Sequence, residues 1–357
     1  MRIVITGATG NLGTALLRRL RRDGEQHEIV GVCRRPPSGG EPYDGVEWTS
    51  VDLADPGAEQ ALQPMMAGAD AVVHMAWGFQ PSRDIDYLDR VGIDGSRAVL
   101  QAAHTAGARH LVHISSLGAY SPGPKDRKVD ESWPTRGIDT LAYSRQKVAV
   151  ERLLDEYERT KPSGMPVARI RPALVVQRDA GSALLRYFLP FYVPASVLRH
   201  IPVLPVDRSL KAQVVHTRDV AEAIALVVEQ RATGAFNVAG EPPVTRDDIA
   251  AVLGARPVHV PSQALRAIVD ATWRARLQPV DPGWLDLAFS VPLMSTERAR
   301  QVLGWRPTVE ARSAVAEVIG GMADTAATAS PAMRPRSVME QALRLVTQGP
   351  VGNRKLP

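Results

Sequence analysis

With 357 residues, 45% of them apolar, the chain can bury a large core in one or two domains, and its single cysteine, Cys33, excludes an internal disulfide. The net charge of +5 comes from arginines scattered among acids rather than from a basic stripe interleaved with aromatics, which argues against nucleic acid as a partner. Arg186 and Arg199 interrupt the most apolar stretch, 182–206, so no uncharged run of about 18 residues is available to cross a membrane.

The sequence starts on a strand, "RIVIT", with no basic and apolar leader ahead of it, and a cytoplasmic location is expected. "NLGTALLRRLRRD" follows with helical spacing, then "EIVGVC", "GVEWTSVD" with "PGAEQALQPMMAG", "DAVVHMA" with "DGSRAVLQAAHTAG", and "ARHLVHIS". Short β-rich runs alternating with amphipathic stretches predict βα units, hence a Rossmann-type doubly wound α/β fold around a parallel sheet. After "VARIRP" the character changes to the Pro-interrupted, aromatic-bearing "LLRYFLPFYVPASVLRHIPVLPV", before "VVHTRDVAEAIALVVE" and "GAFNVAG" restore the αβ pattern. Residues 1–171 and 215–239 are therefore expected to form the dinucleotide-binding domain, and 172–214 and 240–320 a smaller, discontinuous α/β substrate domain. "GGMADTAATASPAMRP" is low in complexity and reads as a linker opening a tail, 321–357, in which "RSVMEQALRLVTQ" is expected as a short helix.

Two short stretches carry the chemistry. In "VITGATGNLGTALLRRL", Gly7, Gly10 and Gly13 lie between the first strand and the first helix, the context in which glycines admit a pyrophosphate to a helix N-terminus. In "AYSRQK", Tyr143 and Lys147 stand four apart in the first turn of a predicted helix and share a face. An ammonium one turn from a phenol favours the phenolate, so Lys147 is expected to lower the pKa of Tyr143 and make its proton mobile.

"TGATGNLG", "VDLAD", "HMAW", "ISSLGAY", "YSRQK", "RP" after the sixth strand and "LGWRP" near residue 305, in this order, resemble the extended short-chain dehydrogenase/reductase superfamily, also called the NAD-dependent epimerase/dehydratase family. The resemblance covers residues 1 to about 320 and leaves out the tail. It implies that Tyr143 exchanges a proton with a substrate oxygen, that Lys147 also holds the nicotinamide ribose, and that a serine positions the substrate. Ser116 is preferred over Ser115 because the family's serine stands four residues before a tyrosine, here Tyr120. The implied cofactor contacts are Gly7, Thr9, Gly10, Asn11, Leu12, Gly13, Arg34, Asp52, Leu53, Met75, Ala76 and Pro172, together with Tyr143 and Lys147. Asp52 has a competing role as a helix cap, and His74 is expected to be structural.

Some positions depart from the family pattern. Gly92, in "GIDGS", replaces a family asparagine, and Gln177 replaces a glycine, which predicts a different path for the loop entering the substrate domain. The second strand ends in Cys33, Arg34 and Arg35 without the acid that would bond a ribose 2′-hydroxyl, which favours NADP(H) while leaving NAD open. Leu117 and Gly118 stand where sugar dehydratases carry an acid pair, and Leu174 where sugar-nucleotide enzymes carry an asparagine. "RPALVV" is similar to the corresponding segment of dihydroflavonol-reductase-like ketoreductases. The expected activity is hydride transfer between NADP(H) and a hydrophobic ketone or secondary alcohol, with Phe188, Phe191 and Tyr192 at the pocket. The alternatives are a nucleotide-sugar 4-epimerase with bound NAD and, further off, a dinucleotide sensor without catalysis. The expected partner is a small-molecule substrate, with no nucleic acid, membrane or metal; a homodimer is left open.

Overall fold

The computed structural model describes residues 1–22, 27–78, 84–190 and 193–335. Its centre is a seven-stranded, all-parallel sheet of β1 (Arg2–Thr6), β2 (Glu28–Cys33), β3 (Glu47–Ser50), β4 (Ala71–His74), β5 (Leu111–Ile114), β6 (Val167–Pro172) and β7 (Gly234–Val238), in the spatial order β7-β6-β5-β4-β1-β2-β3. The chain starts mid-sheet, runs outward to β3 and returns to the other side of β1. The crevice between β1 and β4 is thus the topological switch point, where such sheets take ligands beyond the carboxyl ends of their strands.

Alternation along each strand supplies both faces. Ile3 and Ile5 of β1 pack under α1 (Asn11–Arg22), through Leu16, Leu17 and Leu20, while Val4 points into a second core with Leu62 of α2 (Ala58–Met66) and Val99 of α3 (Gly95–Thr105). α4 (Ala142–Thr160) joins the second layer through Val150 and Leu154. After β6 come α5 (Gly181–Phe188) and, back on the first face, α6 (Thr217–Gln230), whose Val220, Ile224 and Val227 are wholly buried. A doubly wound Rossmann-type sheet is the fold expected from the alternating pattern.

Over the carboxyl ends of the strands lie short parallel pairings, Leu174–Val176 with Val214–His216 and Val203–Pro205 with Arg256–Val258, together with α7 (Gly283–Ser290) and α8 (Ala311–Ala323). The glycine-rich start of the expected linker, Gly320 to Ala323, is the last turn of α8. The residues after it pack instead of hanging free: Ser330 and Met333 are 0% and 1% exposed. Small residues there permit close approach, which composition alone cannot distinguish from a linker. The helix expected in "RSVMEQALRLVTQ" lies outside the described residues, as do Phe191 and Tyr192.

Candidate active site

The first βα turn shows why its glycines are needed. Gly7 has φ of +76°, and a Cβ there would stand 2.6 Å from the backbone nitrogen of Ala76 at the end of β4. A Cβ on Gly13 would run into the carbonyl of Ala8, so the helix could not sit this close to the strand. A cavity of about 580 Å³ begins at this turn and is lined there by Gly7, Thr9, Gly10, Asn11, Leu12 and Gly13. Arg34, Asp52, Leu53, Met75, Ala76 and Pro172 line it too, so every cofactor contact implied by the sequence faces one space. The unpaired N–H groups opening α1 and the glycine cradle fit a dinucleotide pyrophosphate.

Individual side chains are already engaged. Asp52 accepts from Ala54 N at 3.0 Å in a local turn and borders the cavity; it does not cap the following helix, whose first turn begins at Ala58 after Gly57. Arg34 donates to the Tyr87 hydroxyl at 2.9 Å, which fixes its guanidinium near Cys33 and Arg35 at the cavity edge. Gln177 in place of glycine has a structural partner: its amide donates to the Asn11 carbonyl at 2.9 Å and to Asn11 Oδ1 at 2.8 Å, tying the substrate-side loop to the start of α1.

Tyr143 and Lys147 lie in the first two turns of α4. Ser144, between them, donates to Gly118 O at 2.5 Å and accepts from Ile138 N at 2.7 Å, which anchors the helix start to the loop after β5. Ser116 in that loop accepts from Gly118 N at 2.9 Å and hydrogen-bonds Tyr143. Ser115 faces the other way and donates to Glu151 at 2.6 Å beneath the site. The serine beside the phenol is therefore Ser116.

The expected lowering of the Tyr143 pKa by Lys147 is not found. Burial dominates and pushes the phenol up to about 12, with the Ser116 hydroxyl acting in the opposite sense. Lys147 is itself pushed well down by burial, against which Glu151 acts. The reason is the direction of the ammonium: it donates to Ile114 O at 2.8 Å and lies 3.3 Å from the centre of the Trp77 ring. Tyr143 is therefore held protonated throughout the physiological range.

Trp77 is a site residue that the sequence reading missed. It also explains Gly92, which lies in a π-helical turn, Arg90–Asp94, and whose Cβ would stand 3.2 Å from the Trp77 ring. A large ring thus fills the space opened by the missing asparagine side chain. The paired signal, tryptophan in "HMAW" and glycine in "GIDGS", was present in the chain but needs the fold to bring the two together. Trp284 of α7, also missed, stacks on Tyr143 with ring centres 5.3 Å apart and meets Phe188 edge-on at 6.2 Å. The phenol therefore sits between two tryptophans, Trp77 being edge-on at 6.2 Å.

Below the site, Glu151 receives both Arg171 (2.8 and 2.9 Å) and the Ser115 hydroxyl, and Arg171 also donates to Tyr120 at 3.0 Å. Burial pushes the Glu151 pKa up, but Arg171, the Ser115 hydroxyl and Arg169 together more than offset it and the carboxyl stays below the ordinary range. Above the phosphate turn, Ser330 donates to Thr9 O at 2.5 Å, and Thr328 meets Tyr43, whose hydroxyl also reaches Thr14 of α1 at 3.0 Å. Arg186 donates to Ala332 O at 2.8 Å, holding residues 328–333 as a strap across the turn.

His74 is buried, with Nδ1 2.6 Å from Thr6 Oγ1 and Nε2 2.9 Å from Ser96 Oγ, and burial lowers its pKa to about 3. His113 and His110 are lowered by burial as well. These rings stay neutral in the fold and take up protons in the unfolded chain once pH falls below 6.5. The stability they contribute is thus complete above that value and is lost on acidification toward the folded-state values. Each contributes a slope of about 1.4 kcal/mol per pH unit. Glu131 and Glu158, raised by burial, oppose this nearer the carboxylate range. Urea unfolding between about pH 7 and 5 should show falling stability at constant m; a level profile would mean that the rings become charged inside the fold.

This sheet, turn and helix have the arrangement of the short-chain dehydrogenase/reductase fold. The NAD-dependent epimerase/dehydratase family model matches residues 3–239, and the chain belongs to that family. An uncharacterized protein of Mycobacterium tuberculosis is 28% identical over 310 residues, 86% of this chain; the chain spans only 28% of that relative's length. A 3-diazoavenalumate denitrifying reductase of a Streptomyces species is 27% identical over 336 residues, covering 86% of this chain and 96% of the relative. The crystal structure of Thermus thermophilus UDP-glucose 4-epimerase in complex with NAD superposes with a TM-score of 0.66 at 23% identity, over 90% of this chain and 99% of that one. No helix among the described residues is long and apolar enough to cross a membrane.

Proposed function

We propose that the protein is an NADP(H)-dependent reductase of hydrophobic ketones, or the corresponding secondary alcohol dehydrogenase, with Ser116, Tyr143 and Lys147 as its catalytic residues. The observation that carries this reading is the apolar lining at Tyr143: Trp284 stacks on the phenol, Phe188 meets Trp284, Leu287 lies beside Gly118, and Leu174 and Leu184 border the same cavity. These residues come from 172–214 and 240–320, which supports their assignment as the substrate domain, with 1–171 and 215–239 holding the dinucleotide.

A nicotinamide dinucleotide, when bound, supplies or accepts the hydride. Ser116 and Tyr143 grip the substrate oxygen between them, and the Tyr143 hydroxyl, held protonated by burial, gives its proton to the oxygen as the carbonyl is reduced. Lys147 is placed one turn further along α4 to bind ribose hydroxyls, releasing Ile114 O or sharing its remaining donors. Trp77 and Trp284 exclude water from both sides of the phenol.

Arg34 supports NADP(H): it stands at the cavity edge just beyond β2, where NAD-preferring enzymes place an acid. Arg34→Ala is expected to weaken NADPH binding by about 1.5–3 kcal/mol and to leave NADH nearly unaffected, as measured by fluorescence titration. Equal losses for both dinucleotides, or a wild-type preference for NADH, would remove the NADP assignment.

A nucleotide-sugar 4-epimerase is the second reading. The strap over Thr9 favours it, because an epimerase retains its cofactor through each cycle, and so does the likeness to a UDP-glucose 4-epimerase in fold. Assaying apolar ketones with NADPH and NADH, alongside UDP-glucose turnover without added cofactor, separates the two. Ketone reduction supports the first, and cofactor-free epimerisation the second.

A further inference from the structure

Lys125 has a role in neither the fold's acid–base pairs nor the dinucleotide half of the cavity. Its Nζ donates to Ala288 O and to Lys211 O, both at 3.0 Å, and the residue borders the cavity beside Ala212, Ala288 and Leu293. An ammonium has three N–H groups, so these two bonds leave one donor over. No carboxylate among the described residues pairs with it: Asp126, next in sequence, is exposed, and Asp286 of α7 is bound to Arg266 and Thr140. The Lys211 ammonium donates to the Lys125 carbonyl at 3.5 Å and brings a second cation, not a counter-ion.

One account is purely structural. Ala288 lies in the last turn of α7, where carbonyls lack helix partners and a cation is favourable. A solvated lysine would serve that purpose, yet this one is drawn inward and burial lowers its pKa to about 8. Leaving a half-desolvated cation on a cavity wall without a counter-ion is costly unless something negative arrives there. The neighbouring amide cannot balance it, since Gln213 is uncharged and bonds both backbone groups of Met294. Among the described residues, the other charged side chains lining the cavity are Lys147 at the reacting end and Arg34, Arg35 and Asp52 at the dinucleotide end.

The position fixes the length of what would bind. Trp284, stacked on Tyr143, and Ala288, bonded to Lys125, stand four apart on α7, which is about 6 Å along the helix. Leu287 between them projects toward Gly118, beside the phenol. The wall therefore offers a proton donor, then apolar surface for roughly one helical turn, then a cation.

We propose that Lys125 recognises a carboxylate on the substrate, so that the enzyme takes apolar oxo acids, or the matching hydroxy acids, whose carboxylate lies about one helical turn from the reacting carbon. This rests on the reading of the cavity as a ketone site. A single cation in apolar surroundings suits a monoanion, whereas a diphosphate calls for several converging donors.

The test compares 4-phenylbutanoate with 4-phenylbutanamide by calorimetry on the NADP⁺-saturated enzyme. The acid should bind about 10-fold or more tightly than the amide, the effect of one charge-assisted hydrogen bond. Lys125→Gln, which keeps an N–H donor for the carbonyls, should bring that ratio near one, and Lys125→Arg should preserve it. A wild-type ratio near one, or a preference that survives in Lys125→Gln, overturns the proposal. So does UDP-glucose binding tighter than the acid with the same Lys125 dependence, which would place a diphosphate there. Turnover of 4-oxo-4-phenylbutanoate and its amide with NADPH keeps the two readings apart. If both ketones are reduced equally well, the anion site fails and the reductase stands. If neither is reduced while the Lys125-dependent preference in binding persists, the anion site stands and the reductase fails.

Discussion

Tyr143→Phe should lower ketone reduction by about 10²- to 10⁴-fold, the range for losing one positioned acid, while NADPH affinity stays near wild type. The hydroxyl is the atom removed, and its hydrogen-bond partner Ser116 lies on the substrate side of the cavity. The ring keeps its stack on Trp284 and its edge contact with Trp77, so packing is conserved and the effect should fall on turnover. Because burial holds the phenol near 12, reduction by the wild-type enzyme should not decline as pH rises from about 6 to 9 through loss of this proton. Single-turnover reduction followed by NADPH absorbance is the decisive measurement. Retention of the wild-type rate with chemistry limiting would remove Tyr143 from the mechanism.

The largest loss of stability is expected from Glu151→Ala, about 3–5 kcal/mol. The carboxylate is 1% exposed and the Arg171 guanidinium that grips it through two bonds is 4% exposed, so the variant leaves a buried cation with only the Tyr120 hydroxyl and a backbone carbonyl of Glu131. Ser115 loses its acceptor at the same time. Urea unfolding should show the drop, and adding Arg171→Met should restore much of it, because the cost is an unpaired charge and not the missing contact. A loss below about 1 kcal/mol in the single variant would mean that water reaches the network.

The sheet and the placement of Tyr143 and Lys147 on one helix were legible because they depend on local spacing. Period-two apolar runs marked the strands, and Tyr143 and Lys147 share a helix face whatever surrounds them. What escaped reading depends on meetings between distant segments. Trp77 and Gly92 are fifteen positions apart and become complementary only where β4 and the π-helical turn converge. Trp284 reaches Tyr143 from α7, and no periodicity in either helix announces it. The protonation of Tyr143 was misjudged for a related reason: sequence gives the distance along a helix between phenol and ammonium, but neither the burial nor the Ile114 carbonyl and Trp77 ring that take up the charge. Low complexity around residue 325 suggested a free tether, while small side chains were what let the strap lie flat on the phosphate turn.

That strap has a consequence during synthesis. Thr9 and Ser330 are 321 residues apart, so at about 5–20 residues per second the glycine turn leaves the ribosome roughly 15 to 65 seconds before its seal exists. A nascent chain can therefore assemble the sheet with the turn open, and the strap can lie across it only after residue 330 has emerged. The two stages differ in what covers the turn: nothing from residues 328–333 before they emerge, and afterwards their bonds to Thr9, Tyr43 and Arg186.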